Sequence, residues 1–316
     1  MIQITKKIAA TLLLLFFSFT VSATPLNKIV VFGDSLSDNG NFYAYMQHKL
    51  PLSPPYFEGR FSNGPIWAEL LAQRVYPDNW RAHLLDYAFG GAGVLGENGD
   101  FDDEKLFTLN REIDSYLLAH QNKADEHSLF VLWIGANNYL AVPDDIDEAV
   151  RDVNWGIKTS LQRLVKSGAK HILVVNLPDL GKTPAAREFE LTDELSYCTL
   201  SHNAILEKNV AQLQAENPNI QFMLFDANQS LYNMLQDPEK YGFSNTTETC
   251  YQALMNKPSS KAILNMVATV HPQIGMDKNG CEGYFFFDAV HPSALAHKMM
   301  SEQVLELLQR SGVAFG

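Results

Sequence analysis

The sequence predicts an α/β fold of three layers, with helices on both faces of a roughly five-stranded parallel sheet. Three observations carry that expectation. Five short apolar runs, at 29–32, 84–88, 129–134, 171–176 and 220–225, have the length and character of buried strands. Amphipathic stretches separate them, as parallel strands require, because each must be joined to the next by a crossover. The runs end on Gly, Asp or Asn-Leu-Pro, which turn a strand into a loop.

In chain order, the first 23 residues read as an export signal. Lys6-Lys7 is a basic start, 8–21 is an apolar stretch too short to span a bilayer comfortably, and Val21-Ser22-Ala23 is a small-residue cleavage site. Cleavage leaves one domain, 24–316, with 22 basic against 36 acidic residues and a net charge of −14. That excess disfavours nucleic acid as a partner and electrostatic attachment to anionic membranes, so any lipid contact has to be apolar.

The strand at 29–32 stops at Gly33-Asp34-Ser35, which sets Ser35 at its carboxyl end, the edge where open α/β sheets place their chemistry. The segment 42–57 is aromatic and broken by Pro51, Pro54 and Pro55, so it is no single regular element. It reads as part core and part apolar lip beside the serine, Tyr56 included. Ser62 or Asn63 is expected to cap a helix that Pro65 opens, buried through Trp67, Leu70, Leu71 and Val75. The second strand ends at Gly90-Gly91-Ala92, where glycine lets backbone N–H groups approach a ligand. The acidic 98–104 stretch has no calcium-loop spacing and reads as a solvated loop. Leu106, Leu109, Ile113 and Leu117 recur at helical spacing.

The run at 129–134 is the clearest strand, and Gly135-Ala136-Asn137-Asn138 follows it. Helices are expected over 145–167, capped by Gly168, over 192–216 and over 294–308. Ser35, Gly91 and Asn137 thus converge on one sheet edge. The stretch 237–285 looks irregular and holds two of the three cysteines, Cys250 and Cys281, the preferred disulfide. Closing that loop adds roughly 3–4 kcal/mol on the chain-entropy view. Cys198 is left as a buried thiol. In Asp288-Ala289-Val290-His291-Pro292 a carboxylate lies three residues before an imidazole, a spacing at which it can hold the ring for a serine. No H-E-x-x-H or Cys/His cluster points to zinc, and no cofactor motif is present.

Four blocks together resemble the GDSL, or SGNH, family of esterases and lipases. Gly33-Asp34-Ser35-Leu36 resembles its first block, Gly90-Gly91-Ala92 its second, Gly135-Ala136-Asn137-Asn138 its third and Asp288–His291 its fifth. Asn138 stands where that family often has Asp. The resemblance implies a flavodoxin-like SGNH hydrolase fold. It implies Ser35 as nucleophile, His291 as base and Asp288 as its orienter, with Ser35 N–H, Gly91 N–H and the Asn137 side chain forming the oxyanion hole. No cofactor or metal is implied. The export signal, the 59–65 stretch and the aromatic lip are similar to those of secreted bacterial phospholipases, lysophospholipases and glycerophospholipid–cholesterol acyltransferases. The expected partner is therefore a lipid ester at a membrane or micelle surface. An activating protease that nicks a lid between Cys250 and Cys281 is a further expectation. Two rivals stand beside this reading: a carbohydrate or small-ester deacetylase on the same scaffold, and a non-enzymatic binding protein.

Overall fold

The computed structural model of the protein describes residues 25–95, 107–251 and 281–316. The expected export signal, the acidic stretch at 98–104 and the body of the expected lid, 252–280, lie outside the described residues.

Five strands form one parallel sheet: β1 (Lys28–Gly33), β2 (Leu84–Asp86), β3 (Ser128–Trp133), β4 (His171–Val175) and β5 (Gln221–Phe225), in the order β2-β1-β3-β4-β5. Their side chains are mostly apolar, and all six residues of β3 are buried. The helices are α1 (Asn41–Tyr45), α2 (Trp67–Val75), α3 (Trp80–His83), α4 (Leu109–Ala119), α5 (Ala136–Leu140), α6 (Ile146–Ser167), α7 (Pro184–Glu188), α8 (Thr192–Glu216), α9 (Ala227–Gln236) and α10 (Ala294–Arg310). On one face α4, α6 and α8 pack side by side, and on the other α2 packs against α10. The three-layer α/β expectation holds.

The strand order fixes where a ligand goes. From β1 the chain moves outward to β2, then returns to the other side of β1 for β3, β4 and β5. The crossover direction reverses between β1 and β3, and doubly wound sheets bind ligands in the crevice at that reversal. Gly33 closes β1 there. A Cβ on Gly33 would lie 2.6 Å from the Trp133 carbonyl of β3, so only glycine lets the two strand ends approach.

Three expectations need correction. Asn63 does not cap the helix that follows it: its Oδ1 accepts the N–H of Ala294 at 2.8 Å, at the start of α10. The stretch 237–285 is not wholly irregular, since β6 (Asn245–Thr249) pairs in parallel with β7 (Tyr284–Phe286). That pair is hard to read because Asn-Thr-Thr-Glu-Thr is polar and half exposed, so backbone pairing rather than apolar alternation makes it a strand. The helix α9 was not anticipated, although its buried residues, Ala227, Ser230, Leu231 and Met234, fall at helical spacing. Asp226 caps it by accepting the Gln229 N–H at 2.9 Å.

Candidate active site

The loop after β1 is built on two buried aspartates. Asp34 accepts the Leu36 N–H at 3.0 Å, and its carbonyl accepts the N–H groups of Ser37 and Asp38, turning the chain sharply around Ser35. Burial pushes the Asp34 carboxyl up to about 6, opposed by the Leu36 N–H and then by His291. Asp38 accepts from Gly40 and Asn41 on Oδ1 and from Phe42 and Gly90 on Oδ2, at 2.6–3.0 Å. One carboxylate thus joins the serine loop to the glycine turn after β2. Burial still raises its pKa above the ordinary value.

That bond also sorts the two glycines. Gly90 gives its N–H to Asp38, whereas Gly91, held at φ +80°, donates to no acceptor among the described residues. The Ser35 N–H is likewise without a protein acceptor there. Asn137, in the first turn of α5, spends one side-chain N–H on the Ala92 carbonyl at 2.8 Å and keeps the other. Ser35, Gly91, Asn137 and His291 line one cavity. Asn138 turns away from it: its Oδ1 accepts the Val94 N–H at 2.9 Å and its Nδ2 donates to the Leu95 carbonyl at 3.2 Å. An amide makes both bonds, while an ionised Asp there would only accept.

Asp288 and His291 come from the loop between β7 and α10. His291 Nε2 lies 2.7 Å from Ser35 Oγ and its Nδ1 lies 2.8 Å from Asp288 Oδ2. A carboxylate only accepts, so Nδ1 donates to it, and Nε2 is left to accept the serine hydroxyl. Asp288 Oδ1 accepts the N–H groups of Val290 and His291 at 2.9 and 2.8 Å. Burial acts to raise the Asp288 pKa, but His291 and these bonds outweigh it and hold the carboxyl below its ordinary value.

The stretch at 59–65 braces this loop. The Phe61 ring lies 5.2 Å from the His291 ring at a tilt of 34°, Ser62 Oγ donates to the Pro292 carbonyl at 3.0 Å, and Asn63 holds the start of α10. Arg60 anchors the stretch through two bonds to the buried Glu69, the shorter 2.6 Å. Cys250 and Cys281 are joined by a disulfide, and Cys198 is a buried free thiol. The disulfide packs with Tyr56, Phe61, Tyr251 and Phe287 in a small cluster of its own.

Two contacts at the site, those of Tyr56 and Glu112, escaped sequence reasoning. Tyr56, in the segment read as part core and part lip, is buried behind Asp288 and donates to it at 2.7 Å. Glu112 Oε2 accepts the Gly33 N–H at 2.8 Å, and burial pushes its carboxyl well above the ordinary range. Its signal was present: an acid within the buried stripe Leu109, Ile113, Tyr116 of α4. His297 also lines the cavity. Its Nδ1 accepts the Trp67 N–H at 3.3 Å, and burial first, then His291, lowers its pKa to about 3, so it stays neutral with its proton on Nε2. His202 is buried against Tyr139 and Asn154, away from the triad of Ser35, His291 and Asp288.

This arrangement can activate a hydroxyl, offer N–H donors to a developing oxyanion and return a proton to a leaving group. Comparison with known proteins gives the same chemistry. The profile described as GDSL-like Lipase/Acylhydrolase matches residues 29–304. A phosphatidylcholine-sterol acyltransferase of Aeromonas hydrophila is 33% identical over 316 residues, covering 91% of this chain and 92% of that one. A thermolabile hemolysin of Vibrio parahaemolyticus is 29% identical over 286 residues, covering 89% of this chain and 63% of that one. Among solved structures, the native aryl esterase of M. smegmatis superposes with a TM-score of 0.47 at 16% identity, over 89% of this chain and 100% of that one.

Proposed function

The chain belongs to the GDSL-like lipase and acylhydrolase family, and we propose that it cleaves long-chain acyl esters of phospholipids and lysophospholipids through an acyl-serine at Ser35. His291 takes the Ser35 proton as Oγ attacks the ester carbonyl. Ser35 N–H, Gly91 N–H and Asn137 Nδ2 receive the oxyanion. His291, held by Asp288, then protonates the leaving alcohol, and the acyl group passes to water or to a second alcohol such as a sterol. Sterol as acceptor is favoured by the similarity to the Aeromonas acyltransferase. Residues 1–23 and the disulfide support action outside the cytoplasm. Among the described residues no helix is long and apolar enough to cross a membrane.

The observation that carries the substrate class is the cavity. It encloses about 170 Å³, against roughly 10–15 Å³ for a single water. Phe42, Leu50 and Phe61, from the expected apolar lip, are among the residues that line it. Its lining also includes Leu231, Met234 and Phe286 of the small cluster that α9 helps to form and Met300 of the main core, so it touches two packed bodies. An acetyl group fills little of that space, which disfavours the deacetylase reading. The test is fatty acid release from lysophosphatidylcholine and diacyl phosphatidylcholine beside p-nitrophenyl acetate, for wild type and Ser35→Ala. The reading expects release from the lipids, lost in the variant. Cleavage of the acetate alone would move the assignment to a small-ester deacetylase, and binding of lipid without turnover to a binding protein.

A further inference from the structure

Tyr56 is fully buried, and its hydroxyl donates to Asp288 Oδ2 at 2.7 Å. That oxygen is the one that receives His291 Nδ1 at 2.8 Å, while Oδ1 receives the Val290 and His291 N–H groups. From these contacts we propose that Tyr56 is a positioning residue for ester hydrolysis, fixing the Asp288 carboxylate so that Oδ2 faces the imidazole. The proposal rests on the reading of Ser35, His291 and Asp288 as the hydrolytic triad.

The physical case has three parts. The terminal torsion of an aspartate is broad, so a carboxylate held only through Oδ1 can still swing its second oxygen. Tyr56 supplies the missing anchor, and a hydroxyl donating to an ionised carboxylate makes a strong hydrogen bond. The hydroxyl is also a permanent donor. Burial, and after it the Asp288 charge, push its ionisation well above the ordinary tyrosine range. Finally, the ring has no room to leave. Phe287, Tyr251 and Phe61 meet it edge-on with centroids 5.1, 6.0 and 6.2 Å away, and the Cys250–Cys281 disulfide closes the same cluster. A tyrosine needed only for packing would not require its one polar atom to end on the carboxylate that orients the base.

Tyr56→Phe keeps the ring and removes only the hydroxyl. With a p-nitrophenyl acyl ester as substrate, kcat is expected to fall about tenfold with KM unchanged, the size of one lost hydrogen bond to a charged group. Asp288→Asn is expected to lower kcat by about 10⁴, as loss of the orienting carboxylate does in serine proteases. In the Asp288→Asn background Tyr56→Phe should cost nothing more, because the tyrosine acts through Asp288. A Tyr56→Phe enzyme within about twofold of wild type, or the same loss in both backgrounds, would overturn the proposal. An Asp288→Asn enzyme of full activity would remove the triad reading and this proposal with it. A crippled Asp288→Asn beside an unimpaired Tyr56→Phe would remove the proposal alone.

Discussion

Ser35 stands at the end of β1, whose backbone is laddered to β2 on one side and β3 on the other, while His291 stands on an irregular loop beside the two-stranded β6–β7 pair. The Ser35 half of the site is fixed by the main-chain ladder together with the buried carboxylates Asp34, Asp38 and Glu112, which accept the N–H groups around it. The base's half is fixed by side chains that reach it from far away in sequence: Tyr56, Phe61, Ser62, Asn63 and the disulfide. The contrast teaches that one site can draw its geometry from two kinds of rigidity. A sheet edge tolerates change in its neighbours because the ladder persists, whereas a braced loop depends on each brace.

Replacements that act on one half sharpen the contrast. Asn137→Ala removes the proposed oxyanion donor from the sheet half without touching Ser35, His291 or Asp288, and kcat for ester hydrolysis should fall by about 100–1000-fold with little change in KM. Steady-state kinetics on a p-nitrophenyl acyl ester check this, and an unchanged kcat would exclude Asn137 from the oxyanion hole.

Removing the disulfide as Cys250→Ser with Cys281→Ser acts on the loop half. The two cysteines are 31 residues apart, and the loss in stability should be about 3–4 kcal/mol. Amide hydrogen exchange should rise more across 284–293 than across 28–33. Equal loosening of both segments would break the distinction between the halves.

The smallest effect concerns Asp34. Burial raises its carboxyl from 3.8 to about 6 in the folded protein, so the folded state holds this proton to a higher pH than the unfolded chain does. Stability from this group is therefore full below about pH 4 and lost as pH rises towards 6, a difference of about 3 kcal/mol. Urea unfolding of Asp34→Asn against wild type, from pH 4 to 7, should show a profile that falls less steeply by about that amount. Parallel profiles would contradict the shift.

The same contrast explains how much was legible in the sequence. Strands such as 129–134 announce themselves through unbroken apolar runs, so the sheet and the residues at its edge followed directly. Asp288 and His291 were legible because they lie in one short turn. What holds that turn was not. Asn63 meets Ala294 across 231 positions and Tyr56 meets Asp288 across 232, and local spacing carries no trace of such pairings. Asn63 read as a cap for its own neighbour, since a local cap is the default for Asn before a helix. Tyr56 fell in a segment read as part core and part lip, since an aromatic just after a run of prolines gives no sign of which way its hydroxyl faces.

The proposed reaction places the acyl group on Ser35. Labelling with a fluorophosphonate followed by peptide mass spectrometry tests it directly, because the reagent reacts with a hydroxyl only where a base and an oxyanion hole converge on it. One adduct is expected, on the peptide carrying Ser35, absent in Ser35→Ala and slowed in Asp288→Asn. An adduct on another residue, or none on the folded wild-type protein, would contradict it.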